Sequence, residues 1–125
     1  MDRSFPRKEK LKSRKLIEAV FTEGSSVSAY PLKLVYLPAE LPEEVPVQAA
    51  VSVPKRRFKR AVDRNRIKRL MRESWRLQKW EWLPQLQKSY AFVFIYTGRD
   101  LPEQQQLNKK MAQLFQKFLK NNVNI

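Results

Sequence analysis

Ten of the nineteen residues from Pro54 to Arg72 are basic: Lys55, Arg56, Arg57, Lys59, Arg60, Arg64, Arg66, Lys68, Arg69 and Arg72. Arginine outnumbers lysine here. A guanidinium offers a planar fork that grips phosphate oxygens through two bonds, whereas an ammonium is a point charge. Asn65, among them, both donates and accepts, which suits a ribose 2′-hydroxyl or a base edge and equally suits an ordinary polar position at a helix start. The chemistry on offer is binding. The 125-residue chain has no cysteine and no histidine, which removes thiol nucleophiles, disulfide frameworks, zinc fingers and imidazole acid–base catalysis. Its carboxylates are scattered, and the tightest group, Glu40, Glu43 and Glu44, lies in a proline-punctuated loop. A self-sufficient nuclease needs clustered carboxylates to hold two magnesium ions, so no catalytic residue and no metal ligand are assigned.

A helical wheel shows what must present these groups. With Ile67 at 0° and a step of about 100° per residue, Leu77, Leu70, Ser74, Ile67, Gln78, Met71 and Trp75 fill one arc. Lys68, Arg72, Asn65, Arg76 and Arg69 fill the opposite one, and Arg64 and Arg66 flank the apolar side. The pattern predicts an amphipathic helix over about 60–78 with a core face and a cationic face. Like charges at i, i+3 and i+4 cost about 0.2–0.5 kcal/mol per pair, and Glu73, beside the Arg66 edge, is the one acid on the helix body. A merely solvated face would mix signs; this one is segregated for a polyanion.

The whole chain agrees, with 26 Lys+Arg against 12 Asp+Glu and a net charge of +14. Residues 45–79 carry twelve bases and two acids, a net +10. Such a charge calls for nucleic acid or a membrane surface. The longest apolar run, Ala91 to Tyr96, is far short of the roughly 20 residues of a span. Residues Met1 to Pro6 lack the apolar stretch of a signal peptide, and the absence of cysteine fits a reducing compartment. The expectation is a cytoplasmic protein with no membrane association.

The remaining elements follow from periodicity. Residues 1–12 form a basic lead-in. Ser13 predicts an N-cap, Leu16, Ile17, Val20 and Phe21 an apolar helical stripe, and Gly24 its C′ stop. Tyr30 to Leu37 and Val47 to Val53 predict strands, the second with Val47, Ala49, Val51 and Val53 on one face and Gln48, Ala50 and Ser52 on the other. Ala91 to Tyr96 predicts a further strand. A final helix over Glu103 to Asn121 carries Met111, Leu114, Phe115, Phe118 and Leu119 as a core stripe. Trp75, Trp80 and Trp82 either stack on RNA bases or close the helix end against the sheet. With 42% hydrophobic residues and no internal repeat, the expectation is a single α+β domain spanning 1–125.

The run Arg64-Asn65-Arg66-Ile67-Lys68-Arg69-Leu70-Met71-Arg72-Glu73 resembles the "RNR" helix of the protein subunit of bacterial ribonuclease P. The resemblance extends to Val51-Ser52-Val53-Pro54-Lys55-Arg56, similar to the strand and basic turn before that helix. It also takes in Leu16-Ile17-Glu18-Ala19-Val20-Phe21 with Gly24, similar to the family's first helix. The resemblance implies an α/β sandwich of order αβββαβα with a left-handed β-α-β crossover, as in domain 2 of ribosomal protein S5. It implies a partner, the catalytic RNA of ribonuclease P, and a substrate, precursor tRNA, whose 5′ leader that RNA removes with magnesium ions held mainly by the RNA. No obligatory protein partner is implied. Carried over by position, the catalytic-RNA-binding set is Lys55, Arg56, Arg64, Asn65, Arg66, Lys68, Arg69 and Arg72. The leader cleft is Ile17, Phe21, Lys33, Val35 and Ser52, with Phe21 open to a second reading as core. Composition alone fits a generic basic RNA binder such as a ribosomal protein; the helix motif separates the two. A helix-turn-helix reader would place a second helix just before the basic one, where the pattern here predicts a strand.

Overall fold

Alternation gives each strand two faces, and both faces of the sheet in this protein are apolar. The structure, a computed structural model, describes residues 4–122; residues 1–3 of the basic lead-in lie outside the described residues. The elements are α1 (Arg14–Glu23), β1 (Ser25–Ala29), β2 (Leu32–Pro38), β3 (Val47–Ser52), α2 (Ala61–Trp82), β4 (Tyr90–Tyr96) and α3 (Gln104–Asn122). This is the αβββαβα order that the resemblance implies. The sheet order is β1-β2-β4-β3, with β2 antiparallel to both neighbours and β3 parallel to β4. Adjacent parallel strands need a long crossover, and α2 supplies it.

Helices α2 and α3 cover one face. Leu32, Leu34, Tyr36, Phe92 and Phe94 meet Ile67, Met71, Trp75 and Trp82 of α2 and Leu107, Met111, Leu114 and Phe118 of α3. Burying each such side chain contributes about 1.5–3 kcal/mol. On the other face Val35, Ala91 and Val93 lie with Val20 of α1 and Leu11 in a smaller cluster. Ten residues make a helix of only about 15 Å, so α1 covers part of that face and leaves a row beyond it accessible.

Several expectations are sharpened. Ser13 caps α1 as predicted, its hydroxyl accepting from the Leu16 amide at 3.2 Å. Gly24 ends the helix, but not in the left-handed conformation of a C′ glycine; it is the C-cap itself, with φ of −75°. Glycine is needed there for space, because a Cβ would lie 2.3 Å from the Val20 carbonyl oxygen and 2.7 Å from that of Tyr36. The strand predicted from Tyr30 starts two residues later, and Tyr30–Pro31 is the turn that joins it to β1. β1, sequence Ser-Ser-Val-Ser-Ala, has one apolar face, Val27 and Ala29, as suits an edge strand. Helix α2 runs four residues past Gln78 because Lys79 and Trp82 are both buried.

The described part of the lead-in, Ser4 onward, is docked. Leu11 is buried, and its amide donates to the Ala49 carbonyl at 2.9 Å, while Lys10 forms an isolated parallel bridge with Ala49. Gln48 Nε2 donates to the Lys8 carbonyl at 2.9 Å. The segment thereby covers the outer edge of β3, which would otherwise present unpaired backbone groups.

Candidate nucleic-acid interface

The cationic face of α2 opens to solvent as the wheel predicts. Asn65, Arg66, Arg69 and Arg72 are exposed, and with Arg60, Val62 and Asp63 they line an open groove of about 610 Å³. These four residues lie on one side of the helix, where Cβ atoms three and four positions apart are about 5–6 Å from one another, so their side chains form a continuous row. Lys68 is half-buried, and Lys55 and Arg56 are exposed on the turn after β3.

Two arginines of this helix are otherwise engaged. Arg64 turns back from the groove and donates to the carbonyls of Phe58 and Lys59 at 2.8 and 2.9 Å, bracing the loop before α2. Arg76 forms a two-bond ion pair with Glu73, the shorter contact being 2.5 Å. That hydrogen bond holds the Glu73 carboxyl below its ordinary range. Glu73 thus neutralises Arg76, not the Arg66 edge.

Across the other face, strand register aligns Ser28, Lys33, Ile95 and Ser52 in one row. Lys33 and Ser52 are half-buried and share the side of the sheet that carries α1. Phe21 is 51% exposed, which removes its core reading and leaves it at the helix surface. Ile17 is half-buried against the α1 cluster. Val35, expected to line the cleft, is buried at 8% exposure beneath α1. It packs the floor and is not open surface, because Val20 and Leu11 already cover it. The tryptophans divide similarly. Trp75 and Trp82 are core, edge-to-face with centroids 5.3 Å apart, so RNA stacking is removed for both; Trp80 is half-buried.

A second basic groove, of about 240 Å³, is lined by Phe5, Lys10, Leu11, Lys12, Ala49, Ala50, Val51 and Arg72. Cationic surface therefore continues from α2 round the β3 edge to the lead-in. In sequence, residues 1–12 read as undifferentiated charge; the apolar Phe5 and Leu11 within them are the signal that this segment docks. Among the described residues no three His, Cys, Asp or Glu side chains converge as a metal site. No described helix is long and apolar enough to cross a membrane.

An α+β sandwich whose crossover helix turns a row of arginines outward defines a class, the small basic RNA-binding proteins. Within it the placement is plain: the chain belongs to the ribonuclease P protein family, whose model, described as Ribonuclease P, matches residues 5–119. The ribonuclease P protein component of Porphyromonas gingivalis is 37% identical over 106 residues, covering 82% of this chain and 77% of the relative. That of Chlorobium phaeobacteroides is 39% identical over 115 residues, covering 90% and 71%. Among solved structures, the RNase P protein of Staphylococcus aureus superposes with a TM-score of 0.70 at 19% identity, covering 88% of this chain and 94% of that one. The RNase P protein of Thermotoga maritima gives 0.68 at 19% identity, covering 87% and 96%. These two likenesses establish the shared fold. Family membership associates the chain with an endoribonuclease complex of tRNA processing and with its RNA subunit.

Proposed function

We propose that the chain acts as the accessory RNA-binding subunit of a ribonuclease P in which the RNA subunit is the catalyst. The observation that carries this reading is the exposed row Asn65, Arg66, Arg69 and Arg72 on a helix whose other face is core. The α2 face, with Lys55 and Arg56, takes phosphates of the catalytic RNA. The row of Lys33 and Ser52 beside α1, with Ile17 and Phe21, takes the single-stranded 5′ leader of precursor tRNA. Magnesium is held by the RNA, and the protein's contribution to metal use is indirect: it lowers the repulsion between substrate and catalytic RNA that magnesium otherwise screens. The activity belongs in the cytoplasm.

Reconstitution tests this. At low magnesium, catalytic RNA with the protein should cleave precursor tRNA well above the rate of the RNA alone, while protein alone with magnesium should leave the substrate intact. Equal rates with and without protein would overturn the proposal.

A variant then separates the two surfaces. Lys33 points away from Leu32, Leu34 and Tyr36, which are core, and its ammonium is the charged group in its row. Lys33→Ala should weaken holoenzyme binding of a long-leader precursor by about 1 kcal/mol, below the range for hydrogen bonds to charged groups because the site is open to solvent. Mature tRNA binding and assembly with the RNA should hardly change. Equal weakening of both tRNAs would remove the cleft assignment.

A further inference from the structure

Three loops meet at the end of the sheet where β2 begins and β3 and β4 finish: the Tyr30–Pro31 turn, the segment after β4, and the basic segment after β3. Tyr30 is 64% exposed, the largest value among the exposed large hydrophobic side chains described. A ring on a loose tip would signify little, but this tip is held from several sides. Pro31 is buried, and its carbonyl accepts from the Thr97 amide at 2.7 Å. The Thr97 carbonyl in turn accepts from the Arg57 guanidinium at 2.5 Å. Lys117 donates to the Ser28 carbonyl behind the turn. Gly98 backs so closely onto the tip that a Cβ there would lie 3.0 Å from Pro31 Cβ.

The neighbourhood is cationic. Arg57 is exposed although anchored, and one guanidinium bond to Thr97 leaves most of its five donors available. Arg56 and Arg99 are exposed on the flanking loops. The Tyr96 phenol, buried just beneath and donating to the Asp100 carbonyl at 2.5 Å, is pushed up to about 12 by burial first and by the Tyr30 phenol second. Tyr30 is thus near a buried phenol, on a rim whose exposed charges are Arg56, Arg57 and Arg99 against one carboxylate, Asp100.

We propose that Tyr30 is a stacking platform for one unpaired RNA base, with the anchored Arg57 guanidinium taking the adjoining phosphate. An open ring carried on an anchored turn suits a base, since stacking is sequence-tolerant and gains most when little must be ordered on binding. The surrounding charge selects a polyanion over an apolar peptide. The site lies outside both the α2 face and the Lys33 row, and it rests on the reading of this chain as an RNA binder.

The full chain is titrated with an end-labelled oligouridylate of roughly ten nucleotides, followed by fluorescence anisotropy. Tyr30→Ala should weaken binding about tenfold, in the lower part of the range for one base stacked on an aromatic ring. Tyr30→Phe should restore it, because only the ring is used. The slope of affinity against salt should stay the same in Tyr30→Ala and fall by about 0.7 in Arg57→Ala, the value for one single-strand phosphate. Melting temperature should not move in Tyr30→Ala, the ring being exposed. If Tyr30→Ala binds like wild type, or Tyr30→Phe fails as Tyr30→Ala does, the platform is overturned and the wider RNA reading stands. If wild type does not hold the oligonucleotide, the single-strand reading falls with it. A wild-type dimer that Tyr30→Ala dissociates would overturn the proposal in favour of a second copy of the chain on this surface.

Discussion

Binding of this protein to ribonuclease P RNA should lose about four to five orders of magnitude in affinity for each tenfold rise in salt. Six cations of the proposed RNA-binding set are counted for phosphate on the α2 side: Lys55, Arg56, Arg66, Lys68, Arg69 and Arg72. Each neutralised phosphate releases counterions and contributes a slope of about −0.9 on duplex or about −0.7 on single strands. Arg69→Ala should shallow that slope by about one and leave the fold intact, because the side chain is exposed and lines the open groove. Arg76→Ala should leave the slope almost unchanged, its charge being already matched by Glu73. Arg64→Ala should also leave the slope nearly unchanged but lower stability, since it removes the donors to the Phe58 and Lys59 carbonyls. A titration of binding against salt for these variants checks all of this. A wild-type slope shallower than about −2 would mean that this face is not the footprint, and an Arg64→Ala slope change equal to that of Arg69→Ala would reject its bracing role.

That distinction among arginines marks where the sequence stops being legible. The wheel locates the cationic face of α2 and the α3 stripe correctly, because helical period and charge segregation are both visible in one dimension. It placed Arg64 at the rim of the apolar arc, as i+3 and i+7 neighbours of buried Ile67 and Met71 require. What it lacks is the path of residues 53–60, whose carbonyls come back within reach of that guanidinium. The strand pattern likewise puts Lys33 and Ser52 on one face, yet the row they share with Ile95 depends on register across three strands. β1 escaped the periodicity because three of its five residues are serine, which leaves Val27 and Ala29 as its whole apolar face. Val35, assigned to the cleft, is core, and Phe21, open to a reading as core, is surface, because α1 is short: what it covers is core, and what projects from its outer side is surface. The lead-in was the largest omission. Its charges are obvious in sequence, whereas its docking rests on Leu11, on backbone bonds to β3, and on a lysine counted with the basic surplus.

That lysine is Lys79, 1% exposed, and it carries the second large expected effect. Its ammonium donates to Glu9 Oε1 at 2.7 Å and to the Ser4 carbonyl, joining the end of α2 to the lead-in some 70 residues away in sequence. Removing either partner is not symmetrical. Glu9→Ala leaves an ammonium buried with only a carbonyl and the Trp80 ring face, 5.5 Å from its centroid, for company. Stranding a buried charge costs about 3–5 kcal/mol, and the remaining carbonyl bond puts the expected loss near 3 kcal/mol. Lys79→Met instead replaces the ammonium by an apolar chain of similar length beside Trp80, whereas Glu9, 18% exposed, can turn to water. Exchanging a buried charge for a packed apolar group is often close to neutral, so its global cost should be about 1 kcal/mol or less. Both variants should free the lead-in, read as faster hydrogen exchange at the Leu11 amide now bonded to Ala49. Urea unfolding then discriminates: equal losses for Glu9→Ala and Lys79→Met would show that the pair acts only as a tether and that burial of the lysine charge is not what Glu9 compensates. With the lead-in free, Lys10 and Lys12 leave the groove that Arg72 shares with them. Affinity for the catalytic RNA should then fall in Lys79→Met even though the domain stays folded, which ties a buried ion pair on one side of the sheet to the cationic surface on its edge.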